Sequence, residues 1–194
     1  MTLLSAKIIW FIGVAGWAVI RHPHARRSRR TPTVRRARDL ALLTISSTGM
    51  FVLPAIYVLG SQPRFASYPF QPMLAWLGTA LFAGALWLFY RTHKDLGRQW
   101  SVTLEIREQH ALVTQGVYRY IRHPMYAAFW LWALAQVLLL PNWIAGPAGL
   151  VGFGTLFFLR IGREERLMEE TFGDDYRRYV VRTGCIVPRL FKAG

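Results

Sequence analysis

The sequence predicts an all-α integral membrane protein with five hydrophobic helices, the last two forming a tight helical hairpin. Three observations carry this expectation. First, 53% of the 194 residues are hydrophobic and only 18% are charged, against about 45–50% and about 25% in soluble domains. Second, the apolar residues gather into blocks that approach or reach the length needed to cross about 30 Å of hydrocarbon as helices. Third, the charge, a formal +14, lies between those blocks and is not spread over a polar surface. That segregation argues against nucleic acid, the partner such a basic chain would otherwise suggest. The hydrophobicity excludes disorder. Cys185, the single cysteine, excludes an internal disulfide scaffold.

The first block, Leu3–Ile20, contains one charge, Lys7. It reads as an anchor and not as a cleaved signal, because it lacks a basic start and a small-residue cleavage site, and a dense Arg run follows it. Leu40–Leu59 and Met73–Tyr90 are uncharged. Ala127–Leu140 and Trp143–Leu159 form the fourth and fifth blocks. The fourth has 14 residues, about 21 Å at 1.5 Å per residue. Only Pro141-Asn142 separates it from the fifth, so the pair is expected to turn tightly and to tilt or stop short of the far surface. Pro147 is expected to disturb the start of the fifth helix. The chain is expected to be a single domain, with three transmembrane helices over residues 1–90 and its chemistry in residues 91–194.

Topology follows from the basic residues. Arg21–Arg38 holds eight, Arg91–Arg122 six, and the tail from Arg160 eight, making 22 of the 24 Lys and Arg. Lys7 and Arg64 fall on the opposite face if all five blocks cross. The excess of cations on one face then places the N-terminus outside and the C-terminus in the cytoplasm. An Arg-rich, Lys-poor composition points to a prokaryotic inner membrane. Arg21–Arg38 is nearly pure cation, which suits a topology signal and contact with anionic membrane lipids. His22 and His24 within it have no companions at metal-ligand spacing, and no metal site is expected.

Mixed charge marks the other two polar segments. One reads His93-Lys94-Asp95-Leu96-Gly97-Arg98-Gln99-Trp100-Ser101 and continues through His110-Ala111-Leu112-Val113 and Gly116-Val117-Tyr118 to Arg122-His123-Pro124-Met125-Tyr126. The other runs Arg160-Ile161-Gly162-Arg163-Glu164-Glu165-Arg166-Leu167, then Phe172-Gly173-Asp174-Asp175-Tyr176 and Tyr179. Taken singly, each piece has a plain structural reading. Arg122-His123-Pro124 suits a helix start at a membrane interface. Tyr118, Tyr120 and Tyr126 suit an interfacial aromatic belt. Glu164, Glu165, Glu169 and Glu170 suit a solvated helix face with Arg163 and Arg166 as partners.

In that order, however, the pieces resemble the isoprenylcysteine carboxyl methyltransferase family. More broadly, they resemble the integral-membrane methyltransferases that include phospholipid N-methyltransferases. The resemblance covers roughly Thr92 to Pro188. It implies S-adenosyl-L-methionine as cofactor, bound by cytoplasmic segments, and a prenylated-cysteine or other lipidic acceptor. Carried over residue by residue, it implies cofactor contacts from Glu105, His110, Ala111, Leu112, Val113, Tyr118, His123, Pro124, Met125, Tyr126 and Glu164, with Glu164 meeting the cofactor's ammonium. Backbone groups freed near Pro124 are expected to face the ligand. Arg160 matches the family's substrate-binding Arg, and Arg122 is a second candidate cation. The i,i+4 spacing puts Arg160 and Glu164 on one helix face. At the tail, Cys185 and Ile186 stand between Arg182 and Pro188, where the family often carries a further basic residue.

A carboxylate acceptor is ionised at neutral pH and needs no general base, only a cation to hold it. A protonated amine must first lose a proton, for which His123 and Glu165 are the available groups. Carboxyl methylation is therefore favoured over phospholipid or amine N-methylation. The residues also leave open a sterol reductase-like membrane oxidoreductase using a nicotinamide dinucleotide, and a non-catalytic membrane scaffold.

Overall fold

A computed structural model describes residues 1–28, 37–60, 63–96 and 112–189 of the chain. Glu105, His110 and Ala111 lie outside the described residues, as do Trp100 and Ser101. The helices are α1 (Leu3–Ser28), α2 (Ala37–Ser47), α3 (Leu53–Gly60), α4 (Pro72–Leu96), α5 (Pro124–Leu139), α6 (Ala148–Phe172) and α7 (Asp174–Arg182). Among the described residues there is no strand, only two isolated bridges. Three stretches are long and apolar enough to cross a membrane: Leu3–His22, Ala37–Gly60 and Pro72–Leu96. Pro124–Leu139 is apolar but shorter.

Two element boundaries depart from the sequence reading. The helix α1 runs on past the first apolar block to Ser28, into the Arg-rich segment. The last long helix starts at Ala148, five residues later than the apolar block, and continues to Phe172. Pro147 explains the late start: its fixed φ suits the position before a first turn, while its missing N–H would break an interior. The continuation carries Arg160, Glu164 and Glu165 on the same rigid rod as the apolar half.

One π turn, Thr48–Val52, joins α2 to α3, so these two run on as one rod. Pro54 has no N–H to give, and in the five-residue register of a π turn the carbonyl it leaves unserved is that of Gly49. Gln136, fully buried on α5, fills the gap by donating Nε2–H to the Gly49 carbonyl at 3.2 Å and to the Ala145 carbonyl at 2.8 Å. Here the π turn and α6 come so close that a Cβ on Gly49 would lie 2.2 Å from the Ala148 carbonyl oxygen. In hydrocarbon, where apolar burial brings no net gain between helices, such close packing and polar pairing hold the bundle together.

Aromatic rings fill the centre. Trp132 of α5 meets Phe51 at 5.3 Å, Phe82 of α4 at 4.9 Å and Trp17 of α1 at 6.0 Å. Towards α6, Phe129 meets Phe153 at 5.3 Å and Trp130 meets Phe157 at 5.7 Å. At one end of the bundle the turn between α5 and α6 is tied to the 63–68 segment through buried Asn142. Asn142, with no exposed surface, donates to the Pro63 carbonyl at 2.9 Å and accepts from the Ile144 and Ala145 amides. The short α5 thus ends beneath a loop that comes down to meet it.

Candidate active site

At the other end, the start of α5 and the charged half of α6 converge with the 116–123 segment and the tail after α7. His123 precedes α5, with Pro124 in its first turn. The tail lies alongside: the Arg122 amide donates to the Gly184 carbonyl and the His123 amide to the Cys185 carbonyl, both at 2.9 Å. The amides of Arg122 and His123, just before Pro124, are therefore taken up by the tail and are not the groups left open for a ligand.

Glu165 is the hub of this clasp. Its Oε1 accepts from Arg122 Nε at 3.0 Å and from His123 Nε2 at 2.6 Å, and its Oε2 accepts from Arg122 Nη2 at 3.3 Å. A carboxylate can only accept, so the shared imidazole hydrogen sits on Nε2. Arg122 also donates Nη1–H to the Thr183 carbonyl at 2.8 Å. Burial alone would raise the Glu165 pKa, but the hydrogen bonds and charge of His123 and Arg122 outweigh it and hold the group down at about 2. The Arg122 fork is thus committed to Glu165. The thiol of Cys185 lies beside this clasp: the ligand atoms of His123, Glu165 and Cys185 are all within 4.8 Å of one another. Burial raises the pKa of that thiol.

Glu164 sits in different company. Its Oε2 accepts from the Tyr126 hydroxyl at 2.5 Å and lies 3.8 Å from Arg160 Nε, while Oε1 has His123 Nδ1 at 4.0 Å. The Tyr126 ring stacks on that of His123 at 5.6 Å and meets Phe157 edge-on at 5.5 Å. Arg160, Tyr126, His123 and Glu164 thus come together, with Pro124 buried and Met125 half-buried alongside.

Tyr118 is buried, its carbonyl accepting the Tyr179 hydroxyl at 2.6 Å. Burial pushes its own hydroxyl well above the usual phenol range. Gly116 adopts φ +61°, and a Cβ there would lie 2.1 Å from the Asp95 carboxylate. Asp95, at the end of α4, needs that space: it accepts the Val117 amide at 2.9 Å and pairs with Arg91 at 3.5 Å. Leu112 and Val113 are half-buried. On α7, Asp174 and Asp175 occupy the first turn, as helix-start residues. Arg163 pairs not with a neighbouring Glu but with Asp39 of α2, at 3.6 Å.

The sequence assigned no site role to Asp95, Tyr179 or Cys185, and placed Glu165 on a solvated helix face or as a spare base. Asp95 and Cys185 act across long separations that no local pattern signals. For Glu165 there was a signal: consecutive residues on a helix point about 100° apart, so Glu164 and Glu165 meet different surroundings and only His123 lies between them.

Fold and site together define a class, the multi-pass α-helical membrane protein with a polar site at one end of its apolar bundle. Within that class, residues 76–170 match the family model described as the isoprenylcysteine carboxyl methyltransferase (ICMT) family. The matched segment contains the ordered motifs from Tyr118 to Glu165 that carry the resemblance. A curated relative from Schizosaccharomyces pombe, named protein-S-isoprenylcysteine O-methyltransferase, is 39% identical over 83 residues, 43% of this chain and 35% of the relative. Protein-S-isoprenylcysteine O-methyltransferase B of Arabidopsis thaliana is 37% identical over 94 residues, 47% of this chain and 48% of the relative. The matched region thus spans about half or less of these relatives. Among solved structures, a eukaryotic intramembrane Ras methyltransferase ICMT superposes with a TM-score of 0.53 at 21% identity, over 80% of this chain and 54% of that one. That likeness is one of fold.

Proposed function

We propose that the chain is an S-adenosyl-L-methionine-dependent methyltransferase that esterifies the carboxylate of a lipidated or apolar acceptor, such as a prenylated cysteine. The observation that supports this best is the environment of Glu164. Tyr126 and Arg160 approach one of its oxygens, while the other faces His123 Nδ1 at 4.0 Å, beyond hydrogen-bond distance. A carboxylate so oriented, with accepting capacity left, fits the ammonium of the cofactor's amino-acid end. The residues present therefore suit the group. Glu164 and Tyr126 would hold its polar end, and His123, Pro124, Met125, Tyr118, Leu112 and Val113 would flank it. Glu105, His110 and Ala111 are assigned by the family resemblance alone. When bound, the cofactor supplies an electrophilic methyl group on a sulfonium.

The protein's own part is positioning. Arg160, one turn before Glu164, presents a planar fork suited to the acceptor carboxylate. Arg122 positions and does not clamp the acceptor, because its fork is engaged with Glu165. An acceptor carboxyl of ordinary pKa, about 4, is already ionised and asks for no base. Most of the rate would come from proximity and orientation. The acceptor's apolar tail would lie in the bilayer, with membrane lipids as neighbours and no role for nucleic acid. Five crossings, with α5 and α6 as the fourth and fifth, put the site on the cytoplasmic face and the N-terminus outside, by the excess of cations at that face.

The test is methyl transfer from labelled cofactor to a panel of prenylcysteines, fatty acids and aminolipids. Esters of prenylcysteine or fatty acid are expected. Transfer to aminolipids alone would replace this reading with N-methylation, and no transfer together with no cofactor binding would leave the scaffold. For orientation, cysteines replacing Arg182 and Phe65 in a Cys185→Ser background are expected to label from the cytoplasmic and the outer side respectively. The reverse result would invert the topology.

A further inference from the structure

We propose that His123 Nε2, Glu165 Oε1 and Cys185 Sγ form a three-ligand site for a soft divalent cation of the zinc class, and that filling it shuts the neighbouring active site. The three ligand atoms lie within 4.8 Å of one another. They come from three separate parts of the chain: the start of α5, the charged half of α6 and the tail. The backbone bonds from Arg122 and His123 to Gly184 and Cys185 keep the tail fixed against α5. Around a tetrahedral zinc, neighbouring ligand atoms stand about 3.5 Å apart, given metal–ligand bonds of about 2.0–2.3 Å. Side-chain rotation alone can bring this trio to that spacing: the His123–Glu165 pair, now at 2.6 Å, opens by roughly 1 Å, and the thiol closes in by a similar amount.

The donor set suits a soft cation. Thiolate and imidazole select zinc over magnesium or calcium. The two anionic ligands, Glu165 and the Cys185 thiolate, balance a divalent charge. Binding is also consistent with proton bookkeeping. The thiol gives its proton to solvent, and the imidazole moves its hydrogen from Nε2 to Nδ1 so that Nε2 offers a lone pair. Nδ1 then carries its hydrogen on the side of Glu164 Oε1, 4.0 Å away. Other charged and titratable groups around the trio are Arg122, Tyr176 and Tyr179 near Glu165, and Arg160 and Tyr126 near Glu164. Arg122 can keep Glu165 Oε2 and the Thr183 carbonyl while Oε1 turns to the metal. Cys185 is only half-buried, which leaves a way in from solvent.

The blocking half rests on the methyltransferase reading, because it assumes that His123 and Glu164 flank the cofactor. A metal on Nε2 puts the His123 hydrogen opposite the one carboxylate oxygen the ammonium needs. The site itself does not depend on that reading, and the two halves separate in the test. Purified full-length protein is titrated with Cd²⁺, read by the ultraviolet thiolate-to-metal charge-transfer band, and with Zn²⁺ by calorimetry, for wild type and Cys185→Ser. The expected result is one equivalent bound, a charge-transfer band in wild type only, and at least tenfold weaker zinc binding in Cys185→Ser. No band, or equal zinc affinity in the two proteins, overturns the site. Cofactor binding is then measured with and without one equivalent of Zn²⁺. At least tenfold weakening in wild type, absent in Cys185→Ser, is expected. A band without any loss of cofactor affinity overturns the blocking half and leaves the site standing. A protein that binds cadmium but never cofactor or acceptor refutes the methyltransferase reading instead.

Discussion

Glu164 and Glu165 are adjacent on α6 and live in opposite surroundings. Both oxygens of Glu165 face donors, an arginine fork and an imidazole N–H, and the same arginine donates onward to the Thr183 carbonyl. Around Glu164, one oxygen is oriented by a tyrosine and approached by an arginine, while the other looks towards His123 without a hydrogen bond. The first arrangement is a clasp that ties three parts of the chain. The second is an oriented anion with capacity left over. The two neighbouring carboxylates thus differ in how far they are satisfied and not in charge, and in the proposed function only the less satisfied one meets the ligand.

The largest effect of breaking that contrast falls on stability. Glu165→Ala leaves the Arg122 guanidinium, buried to 11% side-chain exposure, without its counter-ion. A fully buried pair broken in this way loses about 3–5 kcal/mol, and partial exposure brings the expectation to about 2–3 kcal/mol. At this chain length that is a fall of roughly 5–10 °C in melting temperature. An unchanged melt would reduce the clasp to a surface contact. Acid probes the same group without mutation. The Glu165 pKa is depressed to about 2 from an ordinary 4.5, so its stabilisation is complete above about pH 4.5 and drains away as pH falls towards 2. The wild-type melting temperature should drop over that window more steeply than that of Glu165→Gln. Parallel curves would show that the clasp does not titrate.

A smaller and more selective effect is expected at Arg160. Lysine keeps the charge and loses the planar fork, so Arg160→Lys should lower methyl transfer by about tenfold or more, the value of one charge-assisted bond. Cofactor affinity should stay near that of wild type. Turnover and cofactor dissociation constant measured together decide it: near-native turnover returns Arg160 to a snorkelling side chain, and a matched loss of cofactor affinity reassigns it to the cofactor.

Much of this molecule was legible in its sequence, for physical reasons. Uncharged runs of about 20 residues have few uses outside a bilayer, so the long helices announced themselves. The ordered motifs named Glu164, Arg160, His123 and Tyr126, and the structure brings these four side chains together, while the connection expected at Pro141-Asn142 extends over residues 140–147. The unread parts depend on contacts between distant residues. Gln136 serving the carbonyl that Pro54 leaves open, Asp95 holding the Val117 amide, and the tail running beside Arg122 and His123 are pairings of residues 22 to 87 positions apart. No periodicity encodes them. The charged face from Arg160 to Glu170 was legible as helix, since Arg, Glu and Leu are all good helix formers, and in the structure it continues the apolar half of α6 without a break to Phe172.

Calorimetric titration of S-adenosyl-L-methionine into wild type and Glu164→Gln, with melting temperatures taken on the same preparations, tests the central claim most directly. Glutamine keeps the shape and loses the charge that an ammonium requires. The expected loss is about 1.5–3 kcal/mol, roughly 10- to 150-fold in dissociation constant, with a melting temperature close to that of wild type. Unchanged affinity in Glu164→Gln would contradict the account and return Glu164 to a solvated helix face.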